Sequence, residues 1–149
     1  MEQVLAVDVG GTKLAAGVVD RSGRLVRRAQ AATAGADADA LFEVLVGVVL
    51  EALDGTDPTV LAGCGVGTGG PMTAGGVAVS PLNIPQWRDF PLRDRLAERL
   101  GLAVWVDNDA KALALGEGWQ GAARGAGDYV AMVVSTGVGG GIVLDGRLL

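Results

Sequence analysis

The sequence predicts an α/β fold, a mixed sheet with helices on both faces, and three observations carry that expectation. Short apolar runs bounded by turn residues alternate with longer segments of helical period, in the order β-β-β-α-β-(β)-α-β-α. The 149 residues are 50% hydrophobic and only 19% charged, enough apolar material for about one packed domain. Glycine is used 25 times, more than twice its usual ~7%, and without a G-X-Y repeat that excess marks tight turns or close approaches of backbone to ligand.

The first three runs, Val4 to Val9, Leu14 to Val19 and Leu25 to Ala31, are strand-length and are separated by Gly10-Gly11 and by Asp20-Arg21-Ser22-Gly23, so they read as strands joined by hairpins. From Asp37 to Leu53 the period changes. Glu43, Gly47 and Glu51 recur every four residues and leave one narrow polar stripe on a mostly apolar helix, with Asp37 or Asp39 as its cap. Val60 to Val66 reads as a buried strand, followed by a loop crowded with Gly65, Gly67, Gly69 and Gly70, and then a short strand around Val77 to Val79. Pro91 to Leu100 is a helix with proline in its first turn, Leu92, Leu96 and Leu100 on one face and Gly101 as its stop. Val104 to Val106 is a strand, and a helix from Ala110 to about Trp119 opens after Asn108-Asp109. Asp128 to Val134 and Ile142 to Leu144 are strands flanking a glycine turn at Gly137 to Gly141, and Asp145-Gly146 signals a further hairpin.

That last segment repeats the first. AVDVGGTKLAAGVVDRSGRL from Ala6 and MVVSTGVGGGIVLDGRL from Met132 both run strand, glycine-rich turn, strand, Asp-turn-Gly-Arg-Leu. Read as a duplication, they divide the chain into a first lobe over residues 1–124 and the start of a second over 125–149, cut off after two strands. A hairpin without the rest of its sheet is marginal alone and exposes an edge, which predicts self-association, hence a homo-oligomer, or disorder from Asp128 to Leu149.

Composition narrows the function. The net charge of −5, with no basic run, argues against nucleic acid or an anionic membrane as partner. The absence of His and the single Cys64 exclude an internal disulfide, a zinc site and His-based catalysis, so acid–base work falls to Asp, Glu, Lys or Tyr. The first residues lack the pattern of a signal peptide, and the apolar stretch from Leu41 to Leu53 is interrupted by Glu43 and Glu51. The expectation is a cytoplasmic protein.

Asp8-Val9-Gly10-Gly11-Thr12-Lys13 is the sharpest local motif. Two glycines let main-chain N–H groups approach a ligand, while Thr12 and Lys13 add a hydroxyl and a positive charge, which together suit a phosphate. The pattern is neither a P-loop nor a dinucleotide fingerprint, because the spacing is wrong and a strand follows. The plain alternative is a hairpin turn. Asp8, inside an apolar strand, is expected to need a cation or donors, and water-mediated Mg²⁺ would supply one. Ser135-Thr136-Gly137-Val138-Gly139-Gly140-Gly141 is the matching turn, and two such turns facing across a cleft would grip a triphosphate. Asn108-Asp109 either cap a helix or, with Asp109 ionised at the helix N-terminus, orient a hydroxyl and take its proton late in phosphoryl transfer. Asn83 sits in a loop stiffened by Pro81 and Pro85, and Trp87 reads as packing.

Taken together and in order, VDVGGTK, GVGTGGP, SPLNIPQW, WVDNDAKALALGE and STGVGGGIVLDGRLL resemble the ROK family of repressors, open reading frames and sugar kinases, and within it the bacterial ATP-dependent glucokinases. The resemblance covers the whole chain. It implies an actin-like ATPase fold of two ribonuclease-H-like lobes, with this chain as the amino-terminal lobe and the first hairpin of the second. It implies ATP-dependent phosphorylation of a hexose, with glucose giving glucose 6-phosphate, and Mg²⁺ as cofactor. By position, Asp8, Gly10, Gly11, Thr12 and Lys13 correspond to the first phosphate motif, and Thr136, Gly137, Gly139 and Gly140 to the second. Gly70, Asn83, Asn108 and Asp109 correspond to sugar ligands, with Asp109 as the catalytic base. The chain departs from the family in having Gly69-Gly70 where Pro-Gly is usual. It also lacks the family's Glu-x-Gly-His element and cysteine zinc cluster, so no zinc is expected and the isolated chain is expected to be nearly inactive. A sugar-sensing regulator of the same family would carry a winged helix ahead of the first motif, for which a first strand at Val4 leaves no room. A non-catalytic sugar-binding module is the remaining alternative.

Overall fold

The computed structural model describes residues 2–134 and 137–149. They form two compact units, Met1–Val106 and Asp107–Leu149.

In the first unit three consecutive strands, β1 (Gln3–Val9), β2 (Lys13–Asp20) and β3 (Leu25–Ala32), make an antiparallel meander. β4 (Leu61–Thr68) joins β1 in parallel, and β5 (Val104–Asn108) lies beyond it, giving the order β3-β2-β1-β4-β5. α1 (Ala38–Leu53) starts where the sequence predicts: the Asp37 carboxylate accepts the Ala40 N–H at 2.8 Å, a cap worth about 1 kcal/mol. Its Leu41, Phe42, Leu45, Val46, Val48, Val49 and Ala52 are buried, and Glu43, Gly47 and Glu51 form the exposed stripe. α2 (Leu92–Leu100) buries Leu92 and Leu96 and ends at Gly101, whose φ of 64° places it in the left-handed region and whose N–H donates to the Ala97 carbonyl. Pro91 stands just ahead of the helix, not within its first turn.

These helices share one core with one face of the sheet: Leu5, Val7 and Val9 of β1, Leu14 and Ala16 of β2, Cys64 and Val66 of β4, and Val104 and Val106 of β5. Val4, Ala6 and Asp8 alternate with the buried residues of β1 and are exposed, as is Trp105 of β5. α1 and α2 thus put their apolar stripes into a single core with that one face. Asp8 is not buried in its strand, so the desolvation argument for a cation beside it falls away.

Two further expectations change here. The strand around Val77 to Val79 reduces to isolated bridges of Val79 with Met72 and with Phe90. Gly75 and Gly76, both at positive φ, and the flanking Pro71 and Pro81 break any longer ladder. Gly65 and Gly67 belong to β4, which leaves only Gly69 and Gly70 for the loop after it.

In the second unit α3 (Asp109–Gln120) packs on the sheet of β6 (Tyr129–Val134), β7 (Val138–Leu144) and β8 (Arg147–Leu148). The compact division thus falls at Val106/Asp107, ahead of the 124/125 boundary read from the duplication, because α3 associates with the strands that follow it. β7 begins at Val138, so Gly139, Gly140 and Gly141, read as a turn, are strand residues paired with Val133, Met132 and Ala131. The two-residue loop Asp145-Gly146, with φ of 50° and 71°, turns β7 into β8 as its sequence signals. The hairpin is therefore a three-stranded sheet with a helix on one face, not two bare strands.

Candidate functional site

β1 and β4 run in parallel with Asp8 opposite Gly67 and Val9 opposite Thr68, so the β1–β2 turn and the loop after β4 leave the sheet side by side. The turn is closed by the Gly10 N–H donating to the Lys13 carbonyl at 3.0 Å. Thr33, the first residue beyond β3, braces it from the far strand. Its hydroxyl donates to the Gly10 carbonyl at 2.7 Å and its N–H to the Thr12 carbonyl at 3.0 Å. Thr33 carries no motif signal. Only the hairpin register finds it: Lys13 pairs with Ala32, which sets the next residue opposite Thr12.

The turn meets Asn83. A Cβ on Gly11 would stand 2.5 Å from the Asn83 Cβ and 3.3 Å from its carbonyl oxygen, so Gly11 is glycine because the Asn83 loop occupies the space. Gly70 belongs to the same assembly, since its carbonyl accepts the Leu82 N–H at 3.3 Å and the adjacent Pro71 carbonyl accepts the Ser80 N–H at 2.8 Å. The Gly70-Pro71 peptide is cis. The loop is rooted on the start of α1, where the Gln86 side-chain amide donates to the Gly35 carbonyl at 3.0 Å and the Trp87 indole N–H to the Ala38 carbonyl at 3.1 Å. Trp87 is fully buried and stacks on Phe90 at 4.5 Å, the packing role read from the sequence. Within this unit the structure thus gathers Gly10, Gly11, Gly70 and Asn83. Thr12, Lys13 and Asp8 are exposed at the same end of β1 and β2. Cys64 lies in the core, where burial pushes its thiol up to about 12, so it is chemically inert at neutral pH.

The second unit makes its own cluster. Asn108 caps α3, its side-chain oxygen accepting the Ala110 N–H at 3.0 Å, and the Asp109 carboxylate accepts the same N–H at 2.8 Å. The capping and functional readings of this pair are therefore compatible: Asn108 fixes the helix start, and Asp109 stands exposed at its positive end. The glycines of β7 serve this helix. A Cβ on Gly139 would approach the Ala110 Cβ to 3.0 Å, and one on Gly141 the Ala114 Cβ to 2.5 Å. Close helix–strand contact thus brings Gly139 next to the residue following Asp109, while Gly140 points to the opposite side, toward Met132. Gly137 is exposed ahead of β7, and Thr136 lies outside the described residues. Among the described residues there is no group of three or more His, Cys, Asp or Glu able to hold a metal by themselves.

The first unit thus carries a phosphate-type glycine turn seated on an asparagine loop, and the second a helix that opens with Asn-Asp. The ROK family model matches residues 4–149. The chain belongs to the ROK family. Its relatives include sugar kinases. A glucokinase of Thermotoga maritima is 36% identical across 99% of this chain and 46% of that protein. An N-acetylmannosamine kinase of Yersinia pseudotuberculosis is 37% identical across 100% of this chain and 50% of that protein. Among solved structures, a ROK glucokinase of Streptomyces griseus in complex with glucose and AMPPNP superposes with a TM-score of 0.88 at 37% identity, covering 99% of this chain and 46% of that one. This ROK chain therefore spans about half the length of the relatives it matches, over their amino-terminal part, and its fold is that of the actin-like sugar kinases.

Proposed function

We propose that this chain supplies the sugar-binding loop, the catalytic base and the phosphate-binding turns of an ATP-dependent hexose kinase that converts glucose to glucose 6-phosphate. The observation that carries the reading is the seat of the Gly10–Lys13 turn on Asn83, which joins a phosphate-type turn to a polar, rigid loop in one compact unit. In this reading Asn83, Asn108 and the Gly70 backbone hold sugar hydroxyls. Asp109 orients the 6-hydroxyl and takes its proton as the oxygen bonds to the γ-phosphorus and the bond to the departing ADP breaks. A carboxylate is adequate there, since phosphoryl transfer passes through a loose transition state in which the proton leaves late. Gly10, Gly11, Thr12 and Lys13 meet one part of the phosphate chain, and Thr136, Gly137, Gly139 and Gly140 another. Asp8, exposed at the end of β1, has the hard carboxylate oxygens that suit Mg²⁺ held through water, and the ion would neutralise phosphate charge.

The same reading gives the protein hexose and ATP as partners and the cytoplasm as its place of work; no helix among the described residues is long and apolar enough to cross a membrane. It also makes the protein a homo-oligomer through the segment from Asp128 to Leu149, where Val130, Met132 and Val134 are exposed on one face of β6. The chain alone is expected to bind glucose and to transfer phosphate only slowly. The test is calorimetric glucose binding combined with single-turnover transfer from labelled ATP. Asn83→Ala should weaken glucose binding by about tenfold or more, the loss of one to two buried polar contacts. Asp109→Asn should abolish the residual transfer while changing glucose affinity by less than about threefold. Transfer that survives Asp109→Asn, or a chain that ignores glucose, would refute the reading.

A further inference from the structure

The loop that presents Asn83 is closed at its neck and filled from within. Val79 and Phe90 exchange both backbone hydrogen bonds at 3.0 Å, and the Asp89 N–H donates to the Ser80 hydroxyl at 2.8 Å, so residues 80–89 leave and return at one point. Inside, the backbone makes two small turns, with the Ile84 N–H donating to the Pro81 carbonyl and the Trp87 N–H to the Ile84 carbonyl, each at 3.1 Å. Such compact loops leave carbonyls that no strand or helix satisfies.

One side chain collects them. Nη1 of Arg88 donates to the carbonyls of Pro81 at 3.1 Å, Ile84 at 2.8 Å and Trp87 at 2.6 Å. These three acceptors bracket Asn83 on both sides, and on its outer flank Asn83 abuts Gly11. Hydrogen bonds from a charged donor are about twice as strong as neutral ones, and a cation at the convergence of three carbonyl dipoles holds all three peptides at once.

Building on the proposed sugar site, we infer that Arg88 is its positioning residue: it clasps the Pro81–Trp87 loop in the conformation that presents Asn83 beside the glycine turn. It acts through Asn83, without itself touching the sugar. The clasp depends on a localised positive charge with several N–H donors, not on the shape of the guanidinium. A lysine ammonium, with three donors on one atom, should replace it in part, and an apolar side chain of similar length should not.

The experiment compares the unsubstituted chain with Arg88→Met and Arg88→Lys, using calorimetry with glucose, calorimetry with AMPPNP, and hydrogen exchange at the Ile84 and Trp87 amides. Arg88→Met should weaken glucose binding by about tenfold, leave AMPPNP affinity unchanged, and speed exchange at both amides. Arg88→Lys should recover most of the glucose affinity and the protection. Glucose affinity that is unchanged in Arg88→Met, or equal losses for glucose and AMPPNP, would overturn the positioning role. So would exchange rates that do not move. If the unsubstituted chain binds no glucose, the hexose-kinase reading falls and this inference with it; that outcome is distinct, because it precedes any substitution.

Discussion

The two glycine hairpins, β1–β2 and β6–β7, follow the same order of strand, glycine-rich turn, strand and Asp-turn-Gly-Arg-Leu and do different physical work. In the first, Gly10 and Gly11 of the turn lie outside the strands, and Gly11 leaves room for a loop that arrives from another part of the chain, with Asn83 at its contact point. In the second, Gly139 and Gly141 lie inside β7 and leave room for α3, which sits so close that a single methyl at Gly141 would stand 2.5 Å from the Ala114 Cβ. The same alternation of apolar residues and glycine thus specifies a hairpin in both places. What each glycine is for depends on which element packs over it. The hairpins also differ in cover. β1 and β2 bury Leu5, Val7, Val9, Leu14 and Val18, whereas β6 and β7 expose Val130, Met132, Val134, Val138, Ile142 and Leu144.

Substitution of the glycines is the strongest way to break this comparison. Gly141→Ala forces a methyl against the Ala114 Cβ, the Ala110 carbonyl and the Lys111 Cα. It should destabilise the second unit by roughly 1–3 kcal/mol, as overpacking does where backbone cannot move aside, measured by chemical denaturation. Gly11→Ala meets an exposed loop residue instead. It should cost less than about 1 kcal/mol of stability, as most changes outside the core do, yet lower glucose affinity about tenfold by pushing Asn83 out of place. Equal stability losses with glucose affinity untouched would show that the two turns are interchangeable.

The turns that end the hairpins sharpen the contrast further. β7–β8 is turned by backbone conformation, through the positive φ of Asp145 and Gly146. β2–β3 is turned by a carboxylate: Asp20 Oδ1 accepts from the Ser22 hydroxyl at 2.6 Å, the Ser22 N–H at 2.9 Å and the Arg24 N–H at 3.2 Å. The Ser22 hydroxyl contributes most to holding the Asp20 carboxyl at about 2, below its ordinary 3.8, with the Arg24 and Ser22 backbone amides and the Arg24 side chain adding to it against some desolvation. A carboxyl depressed in the folded state stabilises it fully above the unfolded value and ceases to do so as pH falls through the folded one. The melting-temperature difference between the unsubstituted chain and Asp20→Asn should therefore be full above about pH 4 and close as pH falls toward 2. A difference independent of pH would contradict the carboxylate's role.

What could be read from the sequence was local. The β1–β2–β3 meander, the polar stripe of α1, the Gly101 stop and the Asp145-Gly146 turn follow from periods and turn chemistry within a few residues, and all four appear in the structure. The misread elements depend on tertiary contact. Gly139 to Gly141 look like a turn until α3 is seen to need their missing side chains. Val77 to Val79 looks like a strand until Gly75 and Gly76 are found at positive φ. In the site, Asn83 and Gly11 were legible as motif residues, but their contact was not. Thr33 and Arg88 carry no motif at all. Each acts on backbone carbonyls of a segment it does not belong to or has only just left, and only the folded chain brings them there.

The most direct test of the central claim is a crystal structure of the chain soaked with glucose. The sugar should lie against Asn83, with at least one hydroxyl within hydrogen-bond reach of its side chain, about 2.7–3.2 Å. Glucose bound away from Asn83, or no bound glucose at all, would contradict the proposed site.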